Sequence, residues 1–101
     1  MSEDKRKHPR IPLDVVVNFS TNAIARSKNL SESGICLIHD EELDINKIQS
    51  FSFFIPDTNE RIKAFARIKW TKKVSPHLFE SGLEFWDIED DDLAKIKKFL
   101  G

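Results

Sequence analysis

Two short stretches carry residue types that could do chemistry. RKHPR, at 6–10, sets Arg6 and Arg10 four positions apart with Lys7 between them and Lys5 just before. Such a cluster suits a phosphorylated ligand, and it also suits an ordinary solvated basic tail. NLSESG, at 29–34, places Asn29, Ser31 and Gly34 in an N-x-S-x-x-G arrangement between two strand-like runs. Asn29 and Ser31 are equally turn formers, and Gly34 is equally a supplier of positive φ. Neither stretch decides between these readings by itself.

Other chemistry has little support. No G-x-S-x-G elbow marks a nucleophile. His8, His39 and His77 fall in three separate segments, read as exposed, with no metal-ligand spacing among them. Cys36 sits inside the apolar run ICLIH, which predicts a buried, inert thiol. The acids of EDDD, at 89–92, read as the start of a helix rather than a metal cluster. No enzymatic activity, metal or cofactor is expected.

The elements that must position the two stretches follow from periodicity. Residues 1–12, with Pro9 and Pro12, read as a flexible basic arm. From Leu13 the pattern has period two, with Leu13, Val15, Val17 and Phe19 on one face. Thr21–Asn22 is a candidate hairpin turn, followed by AIARSKNL as a second strand and ICLIH as a third. In DEELDINKIQS, Leu43, Ile45 and Ile48 are candidate anchors of an irregular segment. Phe51, Phe53 and Ile55 share a strand face, and DTNE makes a turn. Ile62, Ala64, Ala66, Ile68 and Trp70 share the inner face of the next strand, opposite Lys63, Arg67 and Lys69. LFESGLEFW is the last strand. The period then changes: a helix is predicted at about 88–100, with Asp87 as N-cap, acids first and lysines last. Ile88, Leu93, Ile96, Phe99 and Leu100 approximate its apolar stripe. Six short strands with no helical crossovers predict an antiparallel sheet, best closed into a small barrel at 13–101. Eight phenylalanines and two tryptophans are candidates to fill it.

Composition bounds the function. The 101 residues, 40% hydrophobic and 33% charged, suit one globular domain. A net charge of −1 argues against bulk nucleic-acid binding, so any anion site must come from local placement of charge. One cysteine excludes an internal disulfide. No apolar run approaches a membrane span, and the charged start lacks a signal-peptide core. A cytoplasmic protein without membrane insertion is expected.

Taken together and in order, Arg6-x-x-x-Arg10, Asn29-x-Ser31-x-x-Gly34, ARIKW at 66–70 and GLEF at 82–85 resemble the signature of PilZ domains, bacterial receptors for the second messenger cyclic di-GMP. The resemblance covers nearly the whole chain. It implies a six-stranded antiparallel β-barrel with a C-terminal helix, in agreement with the strand reading. It implies that Arg6 and Arg10 clamp the ligand from the arm, by forking onto phosphate or guanine or stacking on a base. It also implies that Asn29 bonds a guanine edge, that Ser31 adds a hydroxyl contact and that Gly34 lets the ligand lie close to backbone. Lys5 and Lys7 add nonspecific attraction. Cyclic di-GMP is then a ligand, and the response is expected to pass to a separate, unidentified effector protein. Two other readings stay open: an interaction module of this fold that binds no nucleotide, and a barrel binding single-stranded nucleic acid through Lys63, Arg67, Lys69 and nearby aromatics.

Overall fold

A computed structural model of the chain describes residues 10–19 and 24–101. Its elements are β1 (Ile11–Pro12), β2 (Val16–Phe19), β3 (Ile24–Leu30), β4 (Gly34–His39), β5 (Ile48–Phe54), β6 (Arg61–Ser75), β7 (Leu78–Ile88) and α1 (Asp90–Leu100). The strands from β2 to β7 pair antiparallel in the ring β3-β2-β5-β6-β7-β4, and the β3–β4 pairing closes it. This is the expected six-stranded closed barrel with one C-terminal helix. Closure satisfies main-chain groups that an open sheet would leave at its edges. β1 is a two-residue addition to the end of β3, with Ile11 opposite Leu30 and Pro12 opposite Asn29. Residues 1–9 of the expected arm and the Thr21–Asn22 turn lie outside the described residues.

Alternation places the core. Leu13, Val17, Phe19, Phe51, Phe53, Ile55, Ile62, Ala64, Ala66 and Ile68 are all buried, in phase as the sequence predicts. The first run is not one continuous strand, because the Ser27 hydroxyl enters its ladder. It accepts from the Val15 N–H at 2.9 Å and donates to the Leu13 carbonyl. Leu13 and Val15 keep their facing, but regular pairing starts only at Val16.

Several expectations change. Trp70 does not share the inner face: a bulge between Ile68 and Trp70 breaks the phase, so the indole turns outward. Trp86 is the extra residue of a second bulge opposite Phe65 and Ala66, and it is 60% exposed. The aromatic core is therefore smaller than composition suggests. Phe54 and Phe65 also face out, and aliphatic side chains outnumber Phe19, Phe51 and Phe53 in the interior. In the segment before β5 only Leu43 anchors, while Ile45 and Ile48 are exposed. Helix α1 starts later than expected. Asp87 and Ile88 still belong to β7, and Glu89 occupies the N-cap position without a side-chain cap bond. Asp90, Asp91 and Asp92 fill the first turn and Lys97 and Lys98 the last, the order that suits the helix dipole. Ile96 inserts into the core, supported by Phe99 and Leu100.

Candidate functional site

The two sequence motifs meet through β1. Opposing Pro12 to Asn29 brings the start of β1 onto the end of β3, and Arg10 Nη1 donates to Asn29 Oδ1 at 2.9 Å. Nineteen positions of chain separate this pair. Arg6, Lys5 and Lys7 lie outside the described residues.

Beyond Asn29 the chain leaves β3 through a tight loop built on Ser31. The Ser31 N–H donates to the Gly34 carbonyl at 2.9 Å, and the Ser33 N–H donates to Ser31 Oγ at 3.2 Å. Ser31 is only 1% exposed, so its hydroxyl is committed to the loop. Gly34 needs no positive φ. A Cβ there would overlap the carbonyl oxygen of Leu83, so only glycine lets β4 approach β7 this closely. The loop is also tied outward. The Phe85 N–H donates to the Ser33 carbonyl at 2.9 Å, and Lys97 of α1 pairs with Glu32 at 3.7 Å.

Pairing extends this corner into a surface. Asn29 opposes Cys36, Cys36 opposes Gly82, and Gly82 opposes Trp70. Residues directly opposite share a face of the sheet, and the inward neighbours here are Leu30, Ile35, Leu37 and Leu83. The row therefore lies on the outer face. Gly82 leaves a gap that the Trp70 indole fills, and a Cβ at Gly82 would collide with the ring. The result is a low floor of Cys36 and Gly82, with Arg10 and Asn29 at one end and a half-exposed indole at the other. Cys36 behaves as the sequence predicts. It is buried, and burial, reinforced by Glu80, pushes its thiol up to about 11. Glu80 in turn pairs with Lys28 at 3.3 Å. One register step away, Arg67 Nη2 bonds Glu84 Oε1 at 2.9 Å and its guanidinium lies 5.5 Å from the Trp86 ring.

The sequence pattern predicts Trp70 in the core and gives Cys36 and Gly82 no part in the surface. The GLEF match held the one usable signal for Gly82. His39 is a further correction. It is buried rather than exposed, with Nε2 2.6 Å from Ser81 Oγ and its ring stacked on Phe79 at 6.1 Å. Burial lowers its pKa, opposed by the Glu41 backbone and the nearby carboxylates of Glu41 and Asp40. A groove of about 790 Å³ between β2, β5, β6 and the start of α1 contains none of the described motif residues. Arg10 and Asn29, both half-buried, lie on the outer face of the barrel instead.

The family model of the PilZ domain matches residues 4–101. The chain belongs to the PilZ domain family. No curated protein sequence matches it. Among solved structures, the chain is similar to the Bacillus subtilis inhibitor of motility MotI/DgrA, at 16% identity and a TM-score of 0.81. That match covers 96% of this chain and 49% of the other. Klebsiella pneumoniae MrkH in complex with c-di-GMP gives 17% identity and a TM-score of 0.80, covering 97% and 52%. The PilZ domain of Escherichia coli YcgR with c-di-GMP gives 10% and 0.74, covering 94% and 88%. The chain thus spans about half the length of the first and second of these proteins. At such identities the likeness establishes the PilZ fold.

Proposed function

We propose that this PilZ domain is a receptor for cyclic di-GMP. The observation that carries the reading is the 2.9 Å bond from Arg10 to Asn29, which joins the two motif halves beside the Cys36–Gly82–Trp70 floor. A flat, anionic ligand with two guanines matches what is assembled there. Arg10, and Arg6 from the arm, supply forked donors for phosphate oxygens or for guanine O6 and N7. Asn29 offers an amide to a guanine edge and holds Arg10 in place. Trp70 gives a ring on which a base can stack. Ser31 and Gly34 act by fixing the loop and the strand approach that set Asn29 in position. Lys5 and Lys7 raise the local anion concentration.

The domain carries no chemistry of its own in this reading, and its output is a changed surface that a separate effector protein reads in the cytoplasm. Two links make the change transmissible. The Ser33 carbonyl is bonded to β7 at Phe85, and Glu32 is paired with Lys97 of α1. A ligand that displaces the 29–34 loop therefore acts on both elements. Composition also assigns the arm a role. An anion neutralises the mutual repulsion of Lys5, Arg6, Lys7 and Arg10, so in this reading binding orders the residues ahead of Arg10, which Asn29 already holds, at a cost of about 1–2 kcal/mol per residue fixed.

Isothermal titration with cyclic di-GMP, GTP and a short oligonucleotide tests the assignment. Saturable heat with cyclic di-GMP alone is expected. Binding of the oligonucleotide in its place, or no heat with any of the three, would overturn the receptor reading.

A further inference from the structure

Strand β6 outruns one of its neighbours. β5 pairs with it only as far as Ile48 opposite Arg67. Two last backbone bonds from the preceding loop reach Ile68, from the Asn46 N–H at 2.7 Å and to the Lys47 carbonyl at 3.0 Å. From Lys69 to Ser75, β6 pairs with β7 alone among the described residues. Its other edge presents alternate main-chain N–H and C=O groups, which is a template for one more strand.

The side chains say what kind of strand. Lys69, Lys72 and Lys73 are exposed, and among the described residues none has a carboxylate at ion-pair distance. Lys72 instead lies 5.8 Å from the Trp70 ring. Trp70, 38% exposed, and Val74, 44% exposed, add apolar surface between the charges. Lysines on an edge oppose pairing with a second copy, because two such edges would align like charges. The same lysines favour a strand with carboxylates.

We propose that Lys69–Ser75 is the docking edge for an extended, acidic segment of a partner protein, which adds to the sheet as a further strand beside β6. Main-chain bonds supply the attachment and the lysines select the partner. A span of about 24 Å, at ~3.4 Å per residue, fits a segment of about seven residues. This gives a chemistry to the effector of the proposed receptor and rests on that reading only for its place in signalling. The edge and its charges are present without nucleotide, so the two ideas fail separately.

The test uses the full chain, an acetylated and amidated heptapeptide of alternating glutamate and valine, and amide hydrogen exchange. Alternate amides within Lys69–Ser75 are expected to slow on adding the peptide. The charge-reversed variant K69E/K72E/K73E is expected to bind it about tenfold or more weakly, as exposed attractions become repulsions. One of two peptides N-methylated at alternate positions is expected to lose binding, because its pairing edge is blocked. Equal protection by a lysine–valine peptide overturns the proposal. So does undiminished binding by the charge-reversed variant or by both methylated peptides. So does protection by oligothymidylate in place of the acidic peptide, or protection that appears with protein concentration alone. Titration of the unaltered chain with cyclic di-GMP reads the receptor function independently.

Discussion

The two halves of β6 obey different rules. From Arg61 to Ile68 the strand has neighbours on both sides, its residues alternate strictly, and Ile62, Ala64, Ala66 and Ile68 are buried. From Lys69 to Ser75 it has one described neighbour, extra residues in β6 itself break the alternation, and nearly every side chain is exposed. The first half is held by apolar burial. The second half, and the outer row that Trp70 shares with Gly82, Cys36 and Asn29, is shaped by small residues and polar contacts. Stability and binding should therefore separate along this line.

The largest expected effect lies in the first half. Ile68 is fully buried, so Ile68→Ala should lose about 2–5 kcal/mol through transfer and cavity terms. Val74→Ala, in the second half, should stay within about 0.5 kcal/mol. Urea denaturation reads both, and equal losses would erase the distinction between the halves.

Next come the outer-face residues, where affinity should fall and stability should not. Arg10→Ala removes a charge-assisted donor and should cost about 1.5–3 kcal/mol of cyclic di-GMP binding, a loss of about 10- to 150-fold. Arg6→Ala should do the same. Wild-type affinity in either variant, measured by titration, would remove that arginine from the site. Asn29 gives a smaller and two-directional effect. Asn29→Asp keeps the acceptor for Arg10 and ionises it, so affinity should hold or rise. Asn29→Leu leaves Arg10 without its partner, and affinity should fall. Equal affinities across the three would make Asn29 a turn residue only.

A smaller effect sits at the junction. His39 opposes Phe79, which in turn opposes Lys73 of the overhanging half. Burial holds its pKa below the ordinary 6.5, so the native state favours the neutral ring. Its contribution to stability is complete above that value and is lost as pH falls through the lower native pKa. Thermal melts between about pH 7.5 and 5 should show a decline that is shallower in His39→Gln. An identical decline in both proteins would mean that His39 does not titrate with unfolding.

Much of the barrel was legible because alternation is a local signal. Leu13, Val17, Phe19, Phe51 and Phe53 announce their strand faces without knowledge of their partners. What escaped depends on pairing. Trp70 continues an apolar run in the sequence, and only the bulge between Ile68 and Trp70 turns it outward, whereas Trp86 follows the inward Phe85 and faces out by alternation alone. His39 follows Ile35 and Leu37 at period two and is buried with them, although its polarity suggested a surface position. The helix began later than predicted because β7 keeps Asp87 and Ile88 in its ladder with β6. At the site, residue types and spacing were visible. The Arg10–Asn29 bond was not, since it depends on the short β1–β3 pairing across 19 positions. The reason for Gly34 was also hidden, because the carbonyl that excludes a side chain belongs to Leu83 on a distant strand.

In the proposed receptor, cyclic di-GMP binds the outer row between Arg10 and Trp70. The most direct measurement is an NMR titration of the 15N-labelled chain, following backbone amides and the Trp70 indole N–H. Saturable shifts are expected at Arg10, Asn29, Ser31–Gly34 and the Trp70 indole. Amides lining the groove near Ser50 and Lys63 should stay in place. Shifts confined to that groove, or none at Asn29 and Trp70 under saturating ligand, would contradict it.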